Sequence, residues 1–294
     1  MPNPFDHLVL ASHDLAAQAQ AYRAMGFQVG GLNQHPWGTQ NHLVQLDGSF
    51  LELIGVAAGA TMPGVHPAPR HFSFGGFVGH YLARHQGLAM LAMATGDAAG
   101  QAARLAGLGL GNFEPFHFGR ASTRPDGSKR EVSFTLAFAQ SPLIERAGFF
   151  YCQHHQPENF WTPALQEHSN TAQKLAGVVM VAENPADHAE FLSHFLQQRE
   201  MLSTSMGLEI DTGAGMVEVL TPLAARFRYG AGLAEGQGEM PHFAGLRMGV
   251  RDMARARACL AAGGISVQSI GQRLVVPPSS AFGTAVVFEP LAAS

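Results

Sequence analysis

A pattern that recurs four times constrains the fold of this chain more than any other feature. Each copy has a short apolar run, a small polar or acidic residue and an alanine-rich stretch, and the copies begin near His7, Leu88, Gly177 and Gly245. The apolar run is typical of a buried strand, and the stretch after it is typical of a helix. Such repetition indicates that one supersecondary unit is used several times.

Strand-like stretches separated by turns follow the helical part of each copy. In the first copy, Asp47-Gly48 separates residues 41–46 from residues 50–54. An Asp-Gly pair between two apolar runs is a strong signal for a β-hairpin. Each copy is therefore predicted to form a βαβββ module.

The four modules are predicted to form two domains. Residues 156–173 contain Pro157 and Pro163 in a polar stretch, which is typical of a linker. We therefore expect an α+β fold in which modules one and two form a domain over residues 1–158. Modules three and four form a second domain of the same plan over residues 174–294.

A capping residue precedes each predicted helix. These residues are Asp14, Thr95, Asn184 and Asp252. The side chains of Asp14, Asn184 and Asp252 are expected to accept hydrogen bonds from amides of the first helical turn, which is a structural role.

Composition excludes several classes of function. The 294 residues carry a formal net charge of −4, with no basic face for nucleic acid or an anionic membrane. The two cysteines, the absence of a basic and apolar leader at the N-terminus, and the lack of a long apolar run favour a cytoplasmic protein. The 15 histidines are nearly as numerous as the 18 lysines and arginines, and histidine is the commonest metal-binding side chain.

The chain resembles the glyoxalase-like branch of the vicinal oxygen chelate superfamily. The resemblance rests on the paired modules and on short segments over residues 1–170, namely residues 6–10, 38–41, 50–54, 124–127 and 152–154, followed by Pro157, Glu158 and Trp161. It implies two modules curved around a pocket, a divalent metal (Fe, Mn, Zn or Ni) and a small substrate with vicinal oxygens. Lyase, isomerase and ring-cleaving activities all occur in this superfamily, so the fold does not choose the reaction.

Three side chains occupy the metal-ligand positions that the resemblance implies: His7, Glu52 and His154. Strand alternation places Phe5, His7 and Val9 on one face of the first strand and Asp6 on the other. Two imidazoles and a carboxylate would leave open coordination positions for an oxygen substrate. Glu52 has a second possible role as the catalytic base of the reaction.

Other interpretations of these three residues stay open. His7 could be an ordinary histidine at the start of a strand, and Glu52 could pair with Arg120 or Arg124 instead of a metal. Gln153 or His155 could take the inward position in place of His154. The richer sites of the superfamily use a fourth ligand, which here falls on Ala89 or Met90, and neither side chain suits a hard divalent ion.

Two further polar residues are candidates for contacting the substrate. Arg120 could bind a carboxylate with two hydrogen bonds. Asn41 and His42 lie on adjacent positions of one strand, so one faces the pocket and the other faces away. The aromatic residues Trp37, Phe50, Phe149 and Phe150 would suit an apolar substrate, although core packing explains them equally well.

The second domain differs from the first at the equivalent positions. Gly177 and Gly245 stand where His7 stands, Glu218 matches Glu52, and Glu289 lies in the last strand. Carboxylates without an imidazole make a poor transition-metal site, so this domain is expected to hold no metal.

The sequence thus favours a metal-dependent enzyme acting on a small molecule. The alternative is a metal-free protein that binds a small molecule with the same fold. A monomer and a homodimer are both compatible with two paired-module domains in one chain.

Overall fold

A computed structural model of the chain describes residues 3–123, 129–230, 233 and 240–291. Within these ranges the strands form two curved, mixed sheets of eight strands each. The predicted fold is confirmed, because each sheet is built from two βαβββ modules.

The first sheet uses residues 5–154. Its strands are β1 (Phe5–Ala11), β2 (Asn33–Gln34), β3 (Thr39–Gln45), β4 (Phe50–Val56), β5 (Gly87–Ala94), β6 (Phe116–Thr123), β7 (Lys129–Ala139) and β8 (Gly148–His154), in the spatial order β2-β3-β4-β1-β5-β8-β7-β6. Its helices are α1 (Leu15–Ala24), α2 (Phe74–Leu82) and α3 (Ala98–Gly107). The strands β1 and β5 pair antiparallel at the centre, and β4 and β8 run parallel to them on either side.

The second sheet repeats this plan after the short helix α4 (Pro157–Phe160). Its strands are β9 (Ala172–Val181), β10 (Leu202–Thr204), β11 (Gly207–Asp211), β12 (Met216–Leu220), β13 (His242–Val250), β14 (Gln268–Ile270), β15 (Arg273–Val276) and β16 (Ala285–Pro290), in the order β10-β11-β12-β9-β13-β16-β15-β14. Its helices are α5 (Ala189–Leu196), α6 (Pro222–Tyr229) and α7 (Met253–Ala262). No described helix in either half is long and apolar enough to cross a membrane.

The helix caps follow the sequence in part. Asp14 and Asp252 accept hydrogen bonds from the amides of Ala17 and Arg255, as predicted. The prediction for Asn184 is wrong: its side chain caps nothing, because Pro185 first begins a 3₁₀ turn and α5 starts later. Helix α3 is capped by Asp97, and Thr95 instead accepts a hydrogen bond from the Asp97 amide.

A β-bulge near the start of β1 changes which side chains face the pocket. In the pairing of β1 with β5, Phe5 lies opposite Met93 and His7 lies opposite Ala92, so Asp6 is an extra residue on β1. The predicted alternation is therefore wrong at this point. Phe5 packs with Leu8 in the core on one face of the sheet, while Asp6 and His7 contact each other on the pocket side.

The two faces of each sheet have different neighbours. One face of both sheets joins a single large core that includes Phe149, Phe195 and Phe243 from the two halves. The other face of the first sheet carries a separate aromatic cluster that includes Phe50 and Phe150. Phe149 therefore lies on the side away from the pocket, contrary to its suggested contact with substrate.

The linker between the sheets packs against the pocket side of the first sheet. Gln45 donates a hydrogen bond to the Phe160 carbonyl and accepts one from the Thr162 amide. The Phe160 ring lies 5.0 Å from the Phe50 ring and 4.8 Å from the His154 ring, measured between centroids. The linker thus supplies one wall of the pocket.

Candidate metal and substrate site

A buried carboxylate joins two histidines at one end of the pocket. The Nδ1 of His7 donates to the Oδ1 of Asp6 at 2.5 Å, and the Nε2 of His154 donates to the Oδ2 of Asp6 at 3.0 Å. Burial by itself would raise the pKa of the Asp6 carboxyl, but His154 and His7 together hold that pKa well below its usual range. Asp6 is therefore an ionised acceptor for both rings.

The bulge is what makes this arrangement possible. It turns two consecutive side chains, Asp6 and His7, toward the same side of β1. His154 comes from the end of β8, two residues beyond Cys152, which lies on the same face. On the last strand, His154 lies on the same side of the sheet as the pocket, with its ring against Phe134 and Phe160. Gln153 contacts the start of α3, and His155 is exposed and contacts Thr135.

A second polar group surrounds the carboxylate of Glu52. Asn41 donates its Nδ2 hydrogen to the Oε1 of Glu52 at 2.5 Å, and Asn33 holds the Asn41 side chain from the edge strand β2. The Nε2 of His35 lies 4.0 Å from Glu52, and the His35 ring stacks on Trp37. These contacts fix Glu52 in the pocket, and burial lowers the pKa of His35, which favours its neutral form.

His7 connects the two polar groups. Its Nδ1 is held by Asp6, while its Nε2 lies 3.8 Å from the Oε2 of Glu52. That separation is too long for a hydrogen bond but compatible with two atoms that share a bound ion or a water molecule. The His7 ring itself stacks on Phe50 at 4.3 Å between centroids.

The donor atoms of Asp6, Cys152 and His154 all lie within 4.8 Å of one another. Among the described residues this is the group of three or more acidic, histidine or cysteine side chains that could hold a metal ion. The Nδ1 of His154 is buried, and no hydrogen bond to it occurs within the described part of the chain. The Nδ1 of His154 is therefore available to bind an ion while the Nε2 contacts Asp6.

Of the predicted set, His7 and Glu52 line one pocket, whereas His154 is not among its lining residues. His7 and Glu52 approach each other, whereas His154 meets Asp6 on the other side of His7. The fourth-ligand position was expected at Ala89 or Met90 on β5. In the structure the residue of β5 opposite His7 is Ala92, and Ala89 is an extra residue in a second bulge between β1 and β5. The side chain of Ala92 also offers no ligand atom.

Aromatic rings close the pocket around these polar groups. The wall includes Trp37, Phe50, Phe74, Phe118, Phe134, Phe150 and Phe160. The space left between them is about 50 Å³. A cavity that binds benzene needs about 150 Å³, so the inner pocket has room for a few small atoms and not for an aromatic ring.

The two predicted substrate contacts both line this pocket. Asn41 faces Glu52, and the neighbouring His42 turns away and bonds the Gly30 carbonyl. Arg120 lies at the mouth of the pocket, where burial lowers its pKa and the charge of Glu52 opposes this. The described residues include no ion pair between Arg120 and Glu52. The other suggested partner, Arg124, lies outside the described residues.

Several residues of the site were not predicted. Asp6 was assigned to the opposite face, and its position next to His7 in sequence was the available signal. His35 comes from the stretch between α1 and β3, and Phe160 comes from the linker. Their placement depends on contacts across the sheet that no local pattern encodes.

Comparison with known proteins identifies the family of the chain. The glyoxalase-like domain family matches residues 5–196, which is more than half of the chain. A search of curated protein sequences finds no match to the chain.

Solved structures share the fold over the whole length. A hypothetical protein from Staphylococcus aureus has a TM-score of 0.65 at 12% identity, with 98% of this chain and 99% of that chain covered. A variant of 4-hydroxymandelate synthase from Streptomyces coelicolor has a TM-score of 0.56 at 12% identity, with 100% and 94% covered. The Mn(II)-bound glyoxalase from Novosphingobium aromaticivorans has a TM-score of 0.54 at 11% identity, with 98% and 82% covered.

At these identities the solved structures show the fold alone, while the family match rests on the sequence itself. The match begins at the first residue of β1 and includes every side chain of the pocket described above. The chain belongs to the glyoxalase-like domain family of the vicinal oxygen chelate superfamily.

Proposed function

We propose that the chain is a divalent-metal-dependent enzyme that acts on a small substrate with vicinal oxygen atoms. The observation that carries the proposal is the cluster of Asp6, Cys152 and His154, whose donor atoms already lie within 4.8 Å of one another; Cys152 of this cluster also lines the pocket. The glyoxalase with bound Mn(II) among the structures of similar fold supports it.

The side chains present fit such an ion. Carboxylate, thiolate and imidazole are ligands of Zn²⁺ and Fe²⁺, and the free Nδ1 of His154 leaves a donor without a partner among the described residues. His7 would hold Asp6 in place through its Nδ1 hydrogen bond. Burial beside Asp6 raises the pKa of the Cys152 thiol, so that thiol stays protonated until a cation offsets the charge.

Glu52 is the residue best placed to move a proton. Its carboxylate is buried, oriented by Asn41 and directed toward His7 across 3.8 Å. A bound divalent ion would polarise the vicinal oxygens and lower the pKa of a bound water or hydroxyl. Glu52 would then accept the proton that the substrate loses, and the aromatic walls would exclude bulk water from that step.

Metal analysis of untagged protein tests this proposal. We expect about one divalent ion per chain, and we expect Cys152→Ser and His154→Ala to lose it because each removes a ligand. His155→Ala is the matched control, since His155 is the neighbouring histidine and faces outward. Glu52→Gln should keep the metal and lose the proton-transfer step.

Two results would change the conclusion. If His7→Ala and Glu52→Gln lose the metal while Cys152→Ser retains it, the ion is held by the set predicted from the sequence. If the parent protein binds no stoichiometric metal after growth with added Fe, Mn, Zn and Ni, the metal-free binding protein becomes the better description.

A further inference from the structure

A larger cavity lies directly outside the inner pocket. Its volume is about 510 Å³, roughly ten times that of the inner space. The two share Leu43, Arg120 and Phe160 as lining residues, so they are neighbouring chambers of one cleft. Any substrate larger than a few atoms must place most of its bulk in the outer cavity.

Two arginines line the outer cavity from the same hairpin. In the pairing of β6 with β7, Arg120 lies opposite Val132, two residues from Arg130. Residues two apart on a strand point to the same face, so both guanidinium groups extend from one side of the hairpin into the cavity. Burial lowers the pKa of Arg120, and the charge of Arg130 lowers it further, against the opposing effect of Glu52.

Neither arginine has a carboxylate partner within the described residues. Arg120 has no hydrogen bond or ion pair there, and the contact of Arg130 is a 3.4 Å approach from its Nη2 to the Thr162 hydroxyl. The Nε of Arg130 is buried and lacks a hydrogen-bond partner in the same set of residues. Two cations held close together without an anion are unfavourable, and an anionic ligand would remove that cost.

The second domain shows how this chain treats arginines that serve a structural purpose. Arg247 and Arg273 both bind the Glu289 carboxylate, and Arg228 binds Glu218 and Glu209. These three arginines of the second half thus have carboxylates supplied by the fold. The pair in the outer cavity is different because its counter-charge is missing from the described residues.

We propose that the outer cavity binds the anionic group of a small organic acid, with Arg120 and Arg130 as its partners. A carboxylate or a phosphonate has the planar or tetrahedral oxygens that guanidinium groups bind with paired hydrogen bonds. The opposite end of the acid would enter the inner pocket and face Glu52. This orientation rests on the proposed function, whereas the anion site itself does not.

Fluorescence titration provides a direct test, because the chain has two tryptophans, one in the wall of the inner pocket and one against Phe160, which lines both cavities. Trp37 lines the inner pocket, and Trp161 meets the ring of Phe160 edge-on and stacks on the ring of His154. Benzoate and phenylphosphonate are the anionic probes, and benzyl alcohol is the neutral probe of similar size. We expect saturable fluorescence changes with both anions, at affinities at least about tenfold above that for the alcohol.

Arginine variants separate the anion site from other causes. Arg120→Gln and Arg130→Gln should each weaken both anions by about tenfold and leave the alcohol unchanged. Arg255→Gln is the matched control, since Arg255 is exposed on α7 in the other half of the chain. The inference is overturned if the alcohol binds as tightly as the anions, if neither anion saturates, or if the two variants behave like the control.

Parallel titrations of chelator-treated and metal-loaded protein distinguish this inference from the proposed function. Binding of the anions to metal-free protein, lost in Arg120→Gln, supports the arginine site whether or not the chain uses a metal. Binding that requires metal and survives both arginine changes would place the anion on the ion and overturn the arginine site. Metal content should be the same in Arg120→Gln as in the parent.

Discussion

In the first sheet Ala92 lies opposite His7, and at the equivalent place in the second sheet Arg247 lies opposite Gly177. In the first sheet the larger side chain is on the first of the two paired strands, and in the second sheet it is on the other strand. This difference decides which side chain fills the pocket of each half. In the first half the methyl group of Ala92 leaves space, and the His7 ring occupies the pocket. In the second half the glycine leaves space, and the Arg247 guanidinium occupies it.

Arg247 fills the second pocket with an internal cation. Its Nη1 donates to Glu218 at 2.9 Å, and its Nη2 donates to Glu289 at 2.7 Å. Glu218 also accepts hydrogen bonds from Arg228 and Tyr229. Glu218, which matches Glu52, and Glu289 in the last strand therefore have their hydrogen-bond partners within the protein.

The backbone of the second half has also lost room for an imidazole. A Cβ atom added at Gly177 would lie 2.4 Å from the Met216 carbonyl oxygen, and real Cβ atoms essentially never come so close to another atom. The expectation that the second domain holds no metal stays a prediction, and these contacts give it a physical reason. The comparison indicates that one half keeps a pocket with incomplete partners while the other closes it with salt bridges.

The largest loss in the free energy of unfolding is expected from Arg247→Ala. The change leaves Glu218 and Glu289 buried with less compensating charge, and removing one partner of a buried ion pair costs about 3–5 kcal/mol of unfolding free energy. Urea denaturation measures the loss. Arg255→Ala, at an exposed site, should change little, and a similarly small loss at Arg247 would show that the network does not stabilise this half.

The equivalent glutamates should respond differently to the same change. Glu218→Gln weakens hydrogen bonds to two arginines and a tyrosine, so we expect a loss of about 2–3 kcal/mol. Glu52→Gln keeps an acceptor for the neutral amide of Asn41 and should cost less than about 1 kcal/mol in metal-free protein. Equal losses in the two denaturation curves would contradict the proposed difference between the halves.

Gly177→Ala tests whether the second half has room for a side chain. The added methyl group would meet the Met216 carbonyl, and such overpacking typically costs about 1–3 kcal/mol. Gly96→Ala is a suitable control, because nothing lies within 4 Å of a Cβ there. A thermal unfolding curve for Gly177→Ala that matches the control would mean that the strand can shift to admit larger residues.

A smaller, pH-dependent effect is expected from His242, which takes the place of Gly87 in the first half. Burial lowers the pKa of His242 to about 4, although its hydrogen bond to the Met240 carbonyl opposes this, and Arg146 and His85 lower it further. The unfolded chain binds this proton near pH 6.5, so stability is lost as the pH falls from about 6.5 toward 4.

The change between pH 6 and pH 5 should reach about 1 kcal/mol for this residue. His242→Asn removes the titrating group while retaining a hydrogen-bond donor for Met240. Urea denaturation of the two proteins at both pH values isolates the contribution of His242. An equal loss of stability in both proteins would show that other groups account for it.

Much of the fold follows from local patterns in the sequence. The fourfold repeat predicted the βαβββ modules, because apolar runs and helical stretches report directly on burial and backbone preference. The Asp47-Gly48 turn predicted the hairpin of β3 and β4, in which Asn41 lies opposite Ile54. The same local signals aligned Glu52 with Glu218, and the strand pairings confirm that alignment.

The residues that form the site were harder to predict from the sequence. Asp6 and Ala92 owe their places to bulges between β1 and β5, which depend on how two distant strands pair. Helices α2 and α6, which connect the modules, were not anticipated at all. Phe160 reaches the cleft because the linker packs against the first sheet, and Arg130 reaches it because β6 and β7 form the edge of that curved sheet beside the outer cavity.

The sequence by itself determined the modules, their number and the set of imidazole and carboxylate groups from which a site could be made. Tertiary structure decided which of these groups meet: it joined His7 and His154 through Asp6 and left Glu52 to Asn41 and His35. The physical reason is that backbone preference and burial act over a few neighbouring residues, whereas the meeting of side chains depends on strand register, and a single extra residue in one strand reverses the face of every side chain beyond it.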